Sequence, residues 1–288
     1  MSSTHSITEK SDLDWTPIDV HTVYISDSVG LRIYSDTRPH NWKIAGLQKG
    51  LILVYNEAEM VGEGTGFGFP VLVYSDETYF SGTSKVYLCS WKNSWIVRKE
   101  FIMDRMARNR FRNVTLQNGT VRALFGYLAD LYQSHRHFRF LALKNLARKM
   151  YVNTAFVKMS SVGKVIVTYA ADERRILVKA DFTGLKRRKL EKIFMLNEQG
   201  SRFFRKYADS QKAQLADEEI GAWDGINAQW ACLTDLQGRF GFRLWRMKDH
   251  IWRRGREFLK DSLDWVGLDY EINPQSAVFE YIIEILGV

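Results

Sequence analysis

A chain of 288 residues with 45% apolar side chains can bury a sizeable core, as one large β domain or two ordinary ones. No apolar run approaches the roughly 20 residues that span a bilayer, and the polar start, residues 1–10, lacks the apolar segment of a secretory leader. The net charge of +8 permits attraction to polyanions without requiring it, and two cysteines, Cys89 and Cys232, are too few for a disulfide framework and read as reduced thiols of a cytoplasmic protein.

Residues 1–15 are expected to form a flexible N-terminal tail, and 16–288 a single β-rich domain. Residues 21–25 and 31–34 read as two short strands around a turn at 26–30. Residues 51–55 form a further apolar run. Then comes Met60-Val61-Gly62-Glu63-Gly64-Thr65-Gly66-Phe67-Gly68-Phe69-Pro70, with glycine at every second position. In an extended chain this alternation bares one face and places Glu63, Thr65, Phe67 and Phe69 on the other. A bare face suits close approach by a ring, a second backbone or a ligand. Residues 70–74 and 78–80 form a hairpin, and 85–89 and 94–102 continue the strand pattern.

From Thr120 the period changes. Val121, Leu124, Phe125, Leu128, Leu131 and Tyr132 mark an amphipathic helix, so a short helical insertion is expected near 120–150. Strands return at 155–159, 164–169, 176–182 and 193–196, with a hairpin turn at 172–174. Residues 210–219 are polar and read as a surface loop. Aromatic strands follow at 228–233, 240–245, 268–272 and 278–285. Many short strands with frequent turns define a mainly β protein. Its length favours a large antiparallel two-sheet β-sandwich, a supersandwich of the galactose-mutarotase sort, with a closed barrel as the alternative.

The glycine stretch is not a phosphate loop, because no Gly-Lys-Ser/Thr follows, and its spacing fails the dinucleotide fingerprint. Two readings stand: a bulged strand covered by an aromatic, or the floor of a binding cleft with Glu63 at its edge. Glu57, Glu59 and Glu63 share parity and would line one face of an unbroken strand, as a solvated face or as paired carboxylates. Asn197-Glu198-Gln199-Gly200 reads as a turn that can present Glu198 at a sheet rim. Ala222-Trp223-Asp224-Gly225 places an indole beside a carboxylate. His135 and His137 are too few for a metal site, no cofactor motif is present, and neither Cys89 nor Cys232 sits in a nucleophile motif. The basic runs match no nucleic-acid-binding module, which argues against nucleic acid without excluding it.

The resulting expectation is a carbohydrate-binding or polyhydroxylated-ligand-binding protein, with carbohydrate processing open. Glu63 and Glu198 are the acid/base candidates, Gly64 and Gly66 the cleft floor, Trp223 the stacking surface and Arg243 the clamp. The alternatives are a binding protein for an apolar ligand such as a lipid or isoprenoid, and a polyanion-binding module. Aldose epimerases use histidines that have no assignable counterpart here, so epimerase chemistry is not part of the expectation. Oligomeric state is open.

Overall fold

The computed structural model describes residues 14–35, 49–75, 77–91, 94–109, 155–221, 223–259 and 263–287. The helix expected near 120–150 and the pair His135 and His137 lie outside them. Among the described residues the chain is almost wholly β, with a single 3₁₀ turn at Asp217–Ile220. No helix among them is long and apolar enough to cross a membrane.

Two antiparallel sheets organise the chain. The smaller contains β2 (Val20–Tyr24), β3 (Val29–Tyr34), β4 (Ile52–Tyr55) and β5 (Ala58–Glu59), in that order, and the larger begins with β1 (Thr16–Ile18) on one side of β7 (Glu77–Trp91). Its first half is β6 (Gly66–Tyr74), β7 and β8 (Ser94–Asn109), followed by β9 (Ala155–Asp172) and β10 (Arg175–Asp181). The rest comprises β11 (Leu190–Gln199), β12 (Lys206–Asp209), β13 (Gln214–Ala216), β14 (Asp224–Gly225), β15 (Trp230–Thr234) and β16 (Gly241–Trp245). It ends with β17 (Ile251–Leu259), β18 (Leu263–Ile272) and β19 (Val278–Leu286). The strand order runs β13-β12-β15-β16-β19-β10-β9-β8-β7-β6-β11-β18-β17-β14. With β13 and β14 at its two ends the sheet is open, so the closed barrel is not formed.

The large sheet folds back on itself as a sandwich. Alternation makes this possible: Ile176, Val178 and Ala180 of β10, Phe279, Tyr281 and Ile283 of β19, and Met195 and Tyr270 of β11 and β18 all turn one face inward. Rings close the core across the fold. Phe67 meets Phe242 at 5.0 Å edge-on, and Tyr270 meets Phe279 at 5.2 Å and Tyr281 at 5.0 Å. Tyr270 also donates its hydroxyl to the Trp245 carbonyl at 2.6 Å. The small sheet packs against β6–β8. There Lys99, fully buried, donates to the carbonyls of Tyr34 (2.7 Å) and Lys49 (2.5 Å), and Ser84 donates to the Ser35 carbonyl.

The glycine stretch is shorter as a strand than its alternation suggests. Residues 60–64 are a turn, and β6 starts at Gly66. Gly62, Gly66 and Gly68 have φ of +52°, +77° and +71°, which glycine adopts without the usual steric penalty. The register slips between Leu196 and Asn197, which face Phe69 and Phe67, so Gly68 is an extra residue. This bulge turns Phe67 towards Phe242 and Phe69 to the opposite side of β6, beside Phe101, and both rings are fully buried. The expectation that Phe67 and Phe69 share a face is corrected by that single residue.

Candidate functional site

The chemistry concentrates where β6, β11, β18 and β17 run side by side. β11 carries Asn197, Glu198 and Gln199, all buried. The stretch read as a turn is the end of a central strand. Asn197 faces the core, and its amide is fully used. The Gly68 N–H (3.1 Å) and the Tyr281 hydroxyl (2.6 Å) donate to Oδ1, while Nδ2 donates to the carbonyls of Leu268 (3.1 Å) and Met195 (3.4 Å). This network pins the bulge to β11, and Tyr169 seals it by donating to the Phe67 carbonyl at 2.8 Å.

Glu198 points to the opposite face, away from the sandwich core. The Thr65 backbone N–H (3.2 Å) and hydroxyl (3.0 Å) both donate to its Oε2. Among the described residues nothing donates to Oε1. On the neighbouring strand Asp269 accepts the Asn197 backbone N–H at 2.7 Å on Oδ1, and no described residue donates to Oδ2. Gly267 lies between them: a Cβ there would sit 3.0 Å from Glu198 Cγ and 3.3 Å from Asp269 Oδ1. Two buried carboxyl groups therefore flank one bare point on the sheet, each with one oxygen held by the protein.

Burial pushes the Glu198 carboxyl up to about 7, against the two Thr65 bonds, and the nearby Glu257 charge adds to the rise. Asp269 is raised well above the ordinary carboxylate range, first by burial and then by the Glu198 charge; the Asn197 N–H and Arg253 pull the other way. Glu257 is raised by burial. Two carboxyl groups that oppose each other's ionisation hold a proton near neutral pH. The arrangement can donate a proton, accept one, or bind hydroxyl groups.

The sheet continues from Gly267 to its cross-strand partner Gly255 on β17. Trp223, just before β14, lies across Gly255: a Cβ there would meet indole atoms Cδ2, Cε3 and Cε2 at 2.4, 2.7 and 2.8 Å. The indole remains partly exposed. Arg253 closes the other side by an ion pair to Glu271 at 2.6 Å. The Gly255 and Gly267 pair thus makes a bare strip with an aromatic on one strand and carboxylates on the next.

Of the sequence candidates, Glu198 and Trp223 lie on this face, two strands apart across Gly267 and Gly255, and Gly64 packs against the Glu198 backbone. A side chain at Gly64 would strike the Glu198 carbonyl oxygen at 2.8 Å, and one at Gly66 the Leu51 carbonyl oxygen at 2.8 Å. Protein backbone occupies the face the glycines leave bare. Glu63 is placed at the turn by its N–H bond to the Asp264 carbonyl (3.0 Å), with its side chain partly exposed. Arg243 lies on the outward side of the other half of the sandwich, paired with Glu284 at 3.3 Å and stacked over Trp230 at 4.7 Å. Glu57 and Glu59 do not line a strand with Glu63. Asn56 and Glu57, at φ of +46° and +67°, turn the chain between β4 and β5, and both glutamates pair with Arg32 on the small sheet. Sequence reading missed Asp269 and Glu257. The signal available was Gly255 and Gly267, glycines inside strands beside acidic residues.

Among the described residues no three His, Cys, Asp or Glu side chains converge as metal ligands would. Fold and site together define an all-β, sandwich-like protein with a buried carboxylate pair on one sheet face. Neither the known protein-family models nor the curated proteins contain a match to the chain.

Proposed function

We propose that the chain binds a carbohydrate or a similar polyhydroxylated ligand on the β11–β18–β17 face, with the Glu198 and Asp269 pair equipped to move a proton on it. One observation carries the reading: two buried carboxyl groups, each anchored through one oxygen, flank Gly267 one strand away from an indole lying on Gly255. Carboxylates suit paired hydroxyls, and an indole suits the C–H face of a sugar ring. Thr65, on the glycine turn, fixes Glu198. The size and strand number agree with a galactose-mutarotase-like supersandwich, the fold we attach to this reading. The free, buried thiols of Cys89 and Cys232 support a cytoplasmic setting.

Thermal unfolding of the purified protein against monosaccharides, oligosaccharides, lipids and oligonucleotides tests it, since a ligand that binds only the folded state raises the midpoint. A sugar is expected to stabilise the protein and to lose its effect in Trp223→Ala and Glu198→Gln. A shift with lipids alone moves the function to the apolar-ligand alternative. A shift with oligonucleotides alone, fading as salt rises, moves it to polyanion binding.

A further inference from the structure

A second feature lies on the other face of β17, independent of the carboxylate pair. An open cleft of about 660 Å³ is lined by Arg202, Arg205, Asp217, Arg256 and Phe258, with Glu218 and Glu219 also on its walls. Asp217 is already neutralised. Arg205 binds it with both prongs of its guanidinium, Nε to Oδ1 at 2.8 Å and Nη2 to Oδ2 at 2.7 Å. Glu219 turns back to accept the Ala216 N–H at 3.0 Å, and Glu218 stands in solvent. Arg202 is half exposed and pairs with Asp264 at 3.3 Å.

Arg256 is the group left over. Its side chain is only 7% exposed, yet its nearest carboxylate oxygen, on Asp217, is 3.5 Å away. That is too long for a good hydrogen bond. Among the described residues its guanidinium makes no side-chain hydrogen bond, and its Nε is buried with no acceptor. A guanidinium carries five N–H donors in a fork that matches carboxylate and phosphate oxygens. A buried Nε–H left without an acceptor is costly. Phe258 provides a flat apolar wall beside it, 41% exposed and flanked by Arg256 at 5.0 Å and Arg202 at 5.9 Å.

We infer that this cleft binds the carboxylate or phosphate group of a small organic anion, gripped by Arg256 and Arg202, with the organic part of the ligand against Phe258. Burial lowers the Arg256 pKa, against the pull of the Asp217, Glu218 and Asp264 charges.

Isothermal titration of the full chain with benzoate and with inorganic phosphate, in 0.15 M NaCl, tests the inference. One saturable site is expected for at least one probe. Arg256→Met should weaken it by about tenfold or more, the loss of charge-assisted hydrogen bonds. Phe258→Ala should weaken benzoate more than phosphate. Binding of benzoate alone assigns a carboxylate ligand, and of phosphate alone a phosphorylated one. The Met variant keeps Asp217 paired with Arg205 and is expected to fold. Should it fail, Arg202→Ala, a change at a half-exposed position, must still weaken binding several-fold. Trp223→Ala, on the other face, should leave the affinity unchanged. No saturable binding of either probe, or equal affinity in Arg256→Met (Arg202→Ala if that variant does not fold), overturns the inference.

Discussion

Replacing Glu198 by Gln should make the protein less sensitive to pH, and the sign of the effect follows from burial. Glu198 titrates at about 7 in the folded chain against an ordinary 4.5. Between these values the folded state holds a proton that the unfolded state has released. The stability owed to this group is therefore whole below pH 4.5 and is lost as pH rises through 7. At about 1.4 kcal/mol for each tenfold change in acidity, the loss comes to about 3 kcal/mol. Asp269, raised by burial and by the Glu198 charge, acts in the same direction. Lys49 acts oppositely: burial lowers it from 10.5 to about 7, so its contribution rises with pH between those values, above the Glu198 window. His250, lowered by burial, also favours higher pH. Both groups are common to wild type and variant and cancel in the difference. Gln keeps a carbonyl oxygen for the Thr65 donors. Urea unfolding of wild type and Glu198→Gln at pH 4.5, 6, 7 and 8 should show the wild type losing about 3 kcal/mol relative to the variant across that range. A difference that is flat, or that grows in favour of the wild type as pH rises, would refute the buried-carboxyl reasoning.

Gly255→Ala should displace Trp223, because the new methyl would sit 2.4 Å from indole Cδ2. The Trp223 indole N–H resonance, assigned by its absence in Trp223→Phe, is expected to shift, and sugar binding to fall. An unmoved resonance counts against the stacking geometry. Asn197→Leu removes the partner of the Gly68 N–H, the Leu268 carbonyl and the Tyr281 hydroxyl at once. At about 1–3 kcal/mol for each buried group left unsatisfied, the loss by urea unfolding should exceed about 3 kcal/mol. Tyr281→Phe leaves Oδ1 still bonded by Gly68 and should cost about 1 kcal/mol. Equal losses in the two variants would mean that Asn197 does not hold the bulge.

Strands whose two faces differ were readable from the chain. Ile176, Val178 and Ala180 alternate with Leu177, Lys179 and Asp181, and Phe279, Tyr281 and Ile283 with Glu280, Ile282 and Glu284, a mostly polar set, because one face of each strand is core and the other is not. β17 escaped notice because Trp252-Arg253-Arg254-Gly255-Arg256-Glu257 carries charge on both faces. Arg254 is accommodated on the inner face by stacking over Tyr207 at 5.0 Å, a partner far away in sequence. The strand end at residues 197–199 resembled a turn for the same reason. Its polar side chains are satisfied by Thr65, Gly68 and Tyr281, and local pattern carries no trace of such distant bonds. β9 reads as two strands but runs unbroken through residues 155–172, and residues 210–219, read as loop, include β13 and the 3₁₀ turn. Glu198 and Trp223 were each singled out from their local motifs, 197–200 and 222–225. What joins them is the register that sets Gly255 opposite Gly267, and register is a property of the assembled sheet.

The ribbon formed by β8 and β9 ends where Asn109 pairs with Ala155. These two residues stand far apart in the sequence. Zipping β8 to β9 therefore has to bring together distant positions of the chain, and the entropic cost of doing so changes by only about 0.6 kcal/mol for each doubling or halving of that separation. The separation weighs more on time than on stability: it lengthens the wait before the two strands find each other, and with it slows folding.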